Sequence, residues 1–196
     1  MYGKFLRFKY TLNTLIFKLY IKWRHPSIQL GINLQIRGKL IFSAEKNSKI
    51  SLGDNIIINS NTRFNLAGIN KPMSIEVRNN AVLEIGNNSG FSGTSIYASQ
   101  KIVIGSHCHF GVNTFIWDTD FHPLEYLSRR AHDISKIATA PIFIGDDVFI
   151  GANSIVLKGV TIGDRSIIAA GSIVSRTVPS DEIWGGNPAS FIKKCT

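Results

Sequence analysis

A strict repeat of six residues runs through the C-terminal half of the chain. From residue 144 to 179 the sequence reads IGDDVF, IGANSI, VLKGVT, IGDRSI, IAAGSI and VSRTVP, with Ile or Val first and Val or Ser fifth in every hexapeptide. A helix needs apolar residues every three or four positions and a simple strand every two, so neither has a period of six. The repeat predicts short strands separated by tight turns and wound into a parallel β-helix, with the first residues stacked in internal ladders.

Earlier segments keep the same phase. The first positions of these earlier hexapeptides are Ile104, Phe110 and Ile116 in one segment and Leu52, Ile58 and Phe64 in another. The phase slips around 68–72 and again between Ile85 and Ile104, which predicts bulges or small loops. The repeat stops at Phe121 and resumes at Ile144. We therefore predict an all-β protein with a β-helix over residues 40–179, a loop excursion at 121–141 and a short C-terminal tail at 180–196.

Residues 1–39 have a different character from the repeats. Eight Lys or Arg residues precede Glu45, which is the first acidic residue, and the whole chain has a formal net charge of +9. Apolar residues recur here at helical spacing beside an arc of basic ones. The apolar set is Phe5, Phe8, Leu12, Leu15, Leu19 and Trp23, and the basic set is Lys4, Arg7, Lys18 and Lys22. This pattern predicts a basic amphipathic helix.

Two interpretations of this helix remain open. It either binds an anionic membrane surface through residues 1–24 or attracts acidic substrates, or it packs on the main domain with a solvated basic edge. Lys18 interrupts the apolar run, so a secretory signal is not predicted, and no apolar stretch approaches the ~20 residues of a membrane-spanning helix. Cys108 and Cys195 lie far apart, which predicts neither a disulfide framework nor a zinc knuckle.

The repeats, the segment DTDFHP and the ending GGNPA together resemble the hexapeptide-repeat acyltransferases, in particular their sugar and polysaccharide O-acetyltransferases. The resemblance covers residues 40 to 194. It implies a left-handed β-helix of triangular section, although general rules for parallel crossovers favour the right hand. It also implies a homotrimer with acetyl-coenzyme A in a groove between subunits.

His122 is the catalytic candidate that the resemblance implies, because family members carry a catalytic histidine at the root of such a loop. Transfer of an acetyl group from a thioester to a hydroxyl needs a base that removes the hydroxyl proton, and imidazole titrates near neutral pH. A carboxylate that holds one ring nitrogen as a donor leaves the other free to accept. Asp118 and Asp120 are the local candidates, and a backbone carbonyl is an equal alternative.

A zinc site is the alternative role for this histidine. His107, His109 and His122 together could form a three-histidine site, as in the carbonic anhydrases that share this fold. Their spacing departs from that family, so no metal is predicted.

The resemblance also implies the residues that hold coenzyme A. Ala152 and Ala170 match positions that offer backbone groups to the pantetheine arm, and Ser175, Arg176 and Lys193 match positions near the nucleotide. A cation there would pair with the 3′-phosphate. Phe149 stands where relatives often have Trp, and Ser190 where they often have Lys or Arg. Both departures concern the details of cofactor binding.

The predicted function is acetyl-coenzyme A-dependent O-acetylation of a hydroxyl on a sugar or polysaccharide precursor, by direct transfer in a ternary complex. The alternatives are N-acetylation of an amino-sugar nucleotide or another small acceptor, and a trimeric β-solenoid scaffold without activity. We expect the protein to be in the cytoplasm, a location that includes the inner face of the membrane. We expect no nucleic-acid partner.

Overall fold

The computed structural model describes the backbone of residues 2–195 and the side chains of residues 11–195. Twenty strands and two α-helices, α1 (Tyr2–Arg24) and α2 (Tyr126–Arg130), make up about half of this part of the chain. In chain order the strands are β1 (Gln29–Leu30), β2 (Gln35–Gly38), β3 (Ile41–Ala44), β4 (Lys49–Leu52), β5 (Ile57–Ser60), β6 (Ser74–Val77), β7 (Val82–Ile85), β8 (Gly90–Ser92), β9 (Ser95–Ala98), β10 (Lys101–Ile104), β11 (His109–Val112), β12 (Phe115–Trp117), β13 (Ile142–Ile144), β14 (Phe149–Ile150), β15 (Ile155–Val156), β16 (Thr161–Ile162), β17 (Ile167–Ile168), β18 (Ile173–Val174), β19 (Glu182–Gly186) and β20 (Ala189–Lys194).

Successive strands go to three different sheets in rotation. Sheet A has the order β1-β4-β7-β10-β13-β16, sheet B the order β2-β5-β8-β11-β14-β17-β19-β20, and sheet C the order β3-β6-β9-β12-β15-β18. All pairs are parallel except β19 with β20. Over the described residues the chain therefore winds through six triangular coils, which confirms the predicted left-handed parallel β-helix.

The hexapeptide phase determines what lies inside each coil. Ile144, Ile150, Val156, Ile162, Ile168 and Val174 are all buried, as are Ile104, Phe110, Ile116, Leu52 and Ile58. The fourth position of each hexapeptide from residue 144 to 173 has a positive φ, at Asp147, Asn153, Gly159, Arg165 and Gly171. Gly, Asn and Asp tolerate this left-handed conformation better than other residues. These positions form the corners of the triangle.

Phe64 is the exception, and its prediction as a ladder residue is wrong. It lies in a 3-10 helix at Thr62–Phe64 and is only half-buried. The helix belongs to an excursion, residues 61–73, between β5 and β6. The ladder position between Phe42 and Ile96 in sheet C is taken instead by Ile75 of β6, because the excursion removes residue 64 from the coil. The predicted phase slip at 68–72 lies inside this excursion.

The N-terminal end of the β-helix is covered by α1. Phe17 contacts Phe42 edge to face at 5.2 Å, and Phe17 and Ile21 are part of the main core. The Ile36 backbone N–H, on the outer edge of the first coil, donates a hydrogen bond to the Thr14 hydroxyl at 2.9 Å. Strands begin at Gln29, before the predicted start of the β-helix at residue 40.

The described part of α1 packs on the domain through a face that the sequence pattern does not indicate. Thr14, Phe17 and Ile21 face the first coil, whereas the members of the predicted apolar stripe that can be described are exposed. These are Leu12, Leu15, Leu19 and Trp23. The side chains of Lys4, Phe5, Arg7 and Phe8 lie outside the described residues.

The opposite end of the β-helix is closed by the predicted tail. Strand β19 extends sheet B in parallel with β17, and β20 returns antiparallel beside it. Trp184 packs against the core and donates to Glu182 at 2.7 Å. Within residues 2–195, no helix combines the length and the apolar character that crossing a bilayer requires.

Candidate functional site

His122 lies at the root of the excursion that leaves the β-helix after β12. The two stems of this loop are joined by hydrogen bonds from the Asp120 N–H to the Ala138 carbonyl at 3.1 Å and from the Ala140 N–H to the Asp118 carbonyl at 3.0 Å. The His122 N–H donates to the Asp120 carbonyl at 2.7 Å, and Pro123 is buried. The imidazole itself is exposed. A solvent-accessible histidine is thus held on a rigid backbone.

Aromatic packing fixes the residue before the histidine in an unusual conformation. Phe121 has φ +62°, which is rare for a bulky side chain. The centroid of its ring lies 4.9 Å from that of Tyr97 and 5.5 Å from that of Trp117, and both pairs pack edge to face. Strained backbone of this kind occurs often at functional sites, where the surrounding packing maintains it. These contacts orient the chain where it turns into His122.

Asp118 makes its hydrogen bonds to the neighbouring coil and none to His122, so its role as the orienting carboxylate stays a prediction. The carboxylate is fully buried and accepts three backbone hydrogen bonds from the coil below. They come from Ser99 at 2.6 Å, Gln100 at 2.8 Å and Lys101 at 2.8 Å. Burial raises the pKa of the Asp118 carboxyl, and these hydrogen bonds oppose the shift. Asp118 joins two coils at a corner.

Asp120 is less buried than Asp118 and makes different contacts. Its Oδ1 forms an ion pair with Lys158 at 2.7 Å. Its Oδ2 is buried and has no hydrogen-bond partner within residues 11–195. A buried carboxylate oxygen without a partner is costly and calls for a donor. Nothing in the sequence singles out Lys158, because a lysine in VLKGV also suits an ordinary solvated position.

The predicted cofactor residues fall on two different edges of the triangle. Ala152 and Ala170 lie at the corner between sheets B and C, where the Gly171 N–H donates to the Ala152 carbonyl at 2.8 Å. A Cβ at Gly111 would lie 2.4 Å from the Ala152 N, and one at Gly151 would lie 2.4 Å from the Ala170 N. The corner is therefore a tightly stacked column of small residues.

The second edge, between sheets C and A, carries His122 and two of the predicted cofactor residues. His122 leaves this edge after β12, Lys158 follows β15, and Ser175 and Arg176 follow β18. Arg176 and Ser175 are exposed. Phe149 and Lys193 are also exposed, on strands β14 and β20 of sheet B. One copy of the chain therefore does not bring His122 and the alanine column together.

The other reactive side chains lie apart from His122. His107 contacts Asn88 at 3.3 Å at the corner between sheets A and B, and His109 lies on β11 in sheet B. The three histidines of the zinc alternative thus occupy different sides of the coil. Across the described side chains, no cluster of three or more His, Cys, Asp or Glu is arranged to hold a metal ion. Burial raises the pKa of the Cys108 thiol to about 11, which disfavours the thiolate that a nucleophile requires.

Comparison with known proteins supports the interpretation of the repeat. Residues 141–176 match the family model described as the hexapeptide repeat of succinyl-transferase. The galactoside O-acetyltransferase of Lactococcus lactis is 36% identical over 111 residues, which are 52% of this chain and 51% of that protein. A 2,3,4,5-tetrahydropyridine-2,6-dicarboxylate N-acetyltransferase of Staphylococcus aureus is 43% identical over 63 residues, 32% of this chain and 26% of that protein. The chain thus spans about half the length of the first of these relatives and about a quarter of the second.

A solved structure extends the similarity over most of the chain. A hexapeptide-repeat acetyltransferase of Vibrio cholerae, in complex with acetyl-coenzyme A, superposes with a TM-score of 0.54 at 25% identity. The alignment covers 91% of this chain and 83% of that one. The predicted resemblance to the hexapeptide-repeat acyltransferases is confirmed.

Proposed function

We propose that this chain is an acetyl-coenzyme A-dependent O-acetyltransferase that acts on a hydroxyl of a sugar or polysaccharide precursor. The observation that carries the proposal is the position of His122, exposed on a rigid loop root with an unpartnered carboxylate oxygen of Asp120 nearby in the chain. Relatives that acetylate galactosides or bind acetyl-coenzyme A support the choice of donor and acceptor.

The proposed reaction is a direct transfer. One imidazole nitrogen of His122 takes the proton of the acceptor hydroxyl as its oxygen attacks the thioester carbonyl. The tetrahedral intermediate then expels the coenzyme A thiolate, which recovers the proton from the imidazolium. Asp120 Oδ2, which has no partner within one described chain, is the acceptor that we propose for the other ring nitrogen, and the ion pair with Lys158 holds the carboxylate in place. Cys108 takes no part, because its thiol is buried and protonated.

A homotrimer is part of the proposal, because the site needs two edges that one chain keeps apart. In the trimer, the edge between sheets C and A of one subunit faces the alanine column of its neighbour. Acetyl-coenzyme A then lies along Ala152 and Ala170 with its thioester at His122 of the adjacent copy. Ser175, Arg176 and Lys193 meet the nucleotide end, and Phe149 flanks the groove. We place this reaction in the cytoplasm, where acetyl-coenzyme A is available and where Cys108 and Cys195 stay reduced.

The test is release of free thiol from acetyl-coenzyme A with a panel of sugar acceptors. We expect turnover with at least one hydroxyl acceptor and a loss of about 10²- to 10⁴-fold in His122→Ala, the range for removal of a general base. His132→Asn is the matched control, because His132 is another exposed histidine of the same loop and Asn suits its φ of +53°. Undiminished turnover in His122→Ala would contradict the assignment of the base.

N-acetylation is the second candidate, favoured by the N-acetyltransferase among the relatives. Amino-sugar acceptors belong in the same panel, and the product separates the two reactions, because hydroxylamine cleaves an acetyl ester and leaves an amide intact. If no acceptor of either kind is acetylated and coenzyme A gives no saturable thermal stabilisation, the scaffold hypothesis is favoured.

A further inference from the structure

Helix α1 has apolar residues on two opposite faces. Thr14, Phe17 and Ile21 face the first coil, and Phe17 and Ile21 are 8% and 2% exposed. On the opposite side lies a second set of exposed side chains that we call the outer face. Its members are Leu12, Leu15, Ile16, Leu19 and Trp23, which are 45%, 52%, 56%, 58% and 81% exposed.

The spacing of the outer face makes it a continuous stripe. Residues 12, 16, 19 and 23 follow one another by four, three and four positions, which places them along one side of an α-helix. Single exposed apolar residues are common on protein surfaces, but a contiguous stripe is typical of an interaction site. A tryptophan exposed to 81% is the most unusual member, because its indole suits the boundary between lipid tails and water.

The charges around the stripe identify its partner. Lys18 and Lys22 lie about one turn apart along one border of the outer face, and Arg24 ends the helix. The helix contains no acidic residue, and none occurs before Glu45. A second copy of the chain docked through the same face would bring lysines against lysines, which is unfavourable. An anionic lipid surface instead offers both an apolar interior for the stripe and negative headgroups for the cations.

We propose that α1 binds an anionic phospholipid membrane through its outer face, with the helix axis in the plane of the membrane. Leu12, Ile16, Leu19 and Trp23 enter the boundary between headgroups and acyl chains. The lysine stems run along the stripe, and their ammonium groups reach the phosphates. The inner face stays packed on Phe42 and the first coil, so the membrane and the β-helix lie on opposite sides of α1. This inference does not depend on the proposed acetyl transfer.

Co-sedimentation of the full chain with vesicles tests the proposal. We expect binding to vesicles of equal parts phosphatidylcholine and phosphatidylglycerol, no binding to phosphatidylcholine alone, and weaker binding as salt is raised. The double variant Ile16→Glu, Trp23→Glu should lower the partition coefficient at least about tenfold, since each change removes a buried apolar side chain from the lipid. Lys18→Gln with Lys22→Gln should also weaken binding.

Ile134→Glu is the matched control, because Ile134 is 80% exposed and lies in the loop far along the chain from α1. This variant should bind as the wild type does. Since the substituted side chains are exposed, all variants should keep the thermal unfolding temperature of the wild type. The proposal is overturned if the wild type ignores anionic vesicles or if the Glu variants bind them equally well. It is also overturned if the double variant changes only the oligomeric state in lipid-free solution, which would make the outer face a contact between copies.

Discussion

Asp118 and Asp120 are two residues apart, yet they make entirely different contacts. Asp118 accepts three backbone N–H groups of the neighbouring coil, whereas Asp120 holds Lys158 and keeps one oxygen without a partner in the described chain. The sequence places both beside His122 but does not reveal the backbone donors below Asp118. Those donors exist only once two coils are stacked, so the local sequence predicts the histidine and leaves the role of each carboxylate open.

Removal of the Asp118 carboxylate should reduce stability without being specific to catalysis. Asp118→Ala leaves three backbone N–H groups without their acceptor, so we expect the free energy of unfolding to fall by about 2 to 4 kcal/mol. Chemical denaturation measures this change. Asp120→Asn is the comparison: it should change stability by less than about 1 kcal/mol, because Asp120 has a single, partly exposed ion pair. Equal stability losses in the two variants would contradict this distinction.

At the level of elements, the structure differs from the sequence pattern at the segments that leave the coils or cover them. The ladder from Ile144 to Val174 follows directly from the repeat. Phe64 keeps the phase in sequence, yet it leaves the coil because residues 61–73 form an excursion. The packed face of α1 is likewise not evident from the sequence, because apolar residues occur on several sides and only the shape of the first coil selects Phe17 and Ile21.

Lys71 attaches the 61–73 excursion to the third and fourth coils. Its ammonium donates to Ser95 at 2.8 Å and to the Gly93 carbonyl, and it lies 4.4 Å from the centre of the Phe115 ring. Burial lowers the pKa of Lys71 from 10.5 to about 8. Between these two pH values the unfolded chain binds more protons at this site than the folded one, so its contribution to stability rises with pH.

This linkage predicts a pH-dependent difference between the wild type and Lys71→Met. The free energy of unfolding of the wild type, relative to that of the variant, should increase as the pH is raised from 8 towards 10.5. Urea denaturation of both proteins across that range measures the difference, and other titrating groups cancel because both proteins contain them. A difference that stays constant or decreases over the range would show that the Lys71 pKa is not lowered.

At the scale of the whole molecule, the groups predicted from the sequence are divided between edges. His122, Ser175 and Arg176 share the edge between sheets C and A, and Ala152 and Ala170 share the edge between sheets B and C. The hexapeptide repeat predicts the β-helix and the place of each residue along it. It does not predict how copies are arranged, because the contacts that join them depend on outward-facing residues that have no fixed period.

Mixed oligomers test whether two copies share one site. His122→Ala removes the base, and Ala170→Trp should block the column of small residues where we propose that coenzyme A lies. Each variant alone should be inactive, whereas a mixture that has exchanged subunits should recover part of the wild-type thiol release. Recovery requires an intact His122 on one subunit beside an intact Ala170 on its neighbour. A mixture that exchanges subunits and stays inactive would mean that both residues serve from the same copy.

The closed ends of the coil stack have a consequence for assembly. A parallel β-helix without covers presents a rim of unpaired N–H and C=O groups at each end, and a second such rim can pair with it. Here Thr14 of α1 occupies a donor of the first rim, and β20 runs antiparallel along the last strand of sheet B. The same helix that we propose as a lipid anchor therefore also covers part of the first rim, where a second copy would otherwise pair end to end.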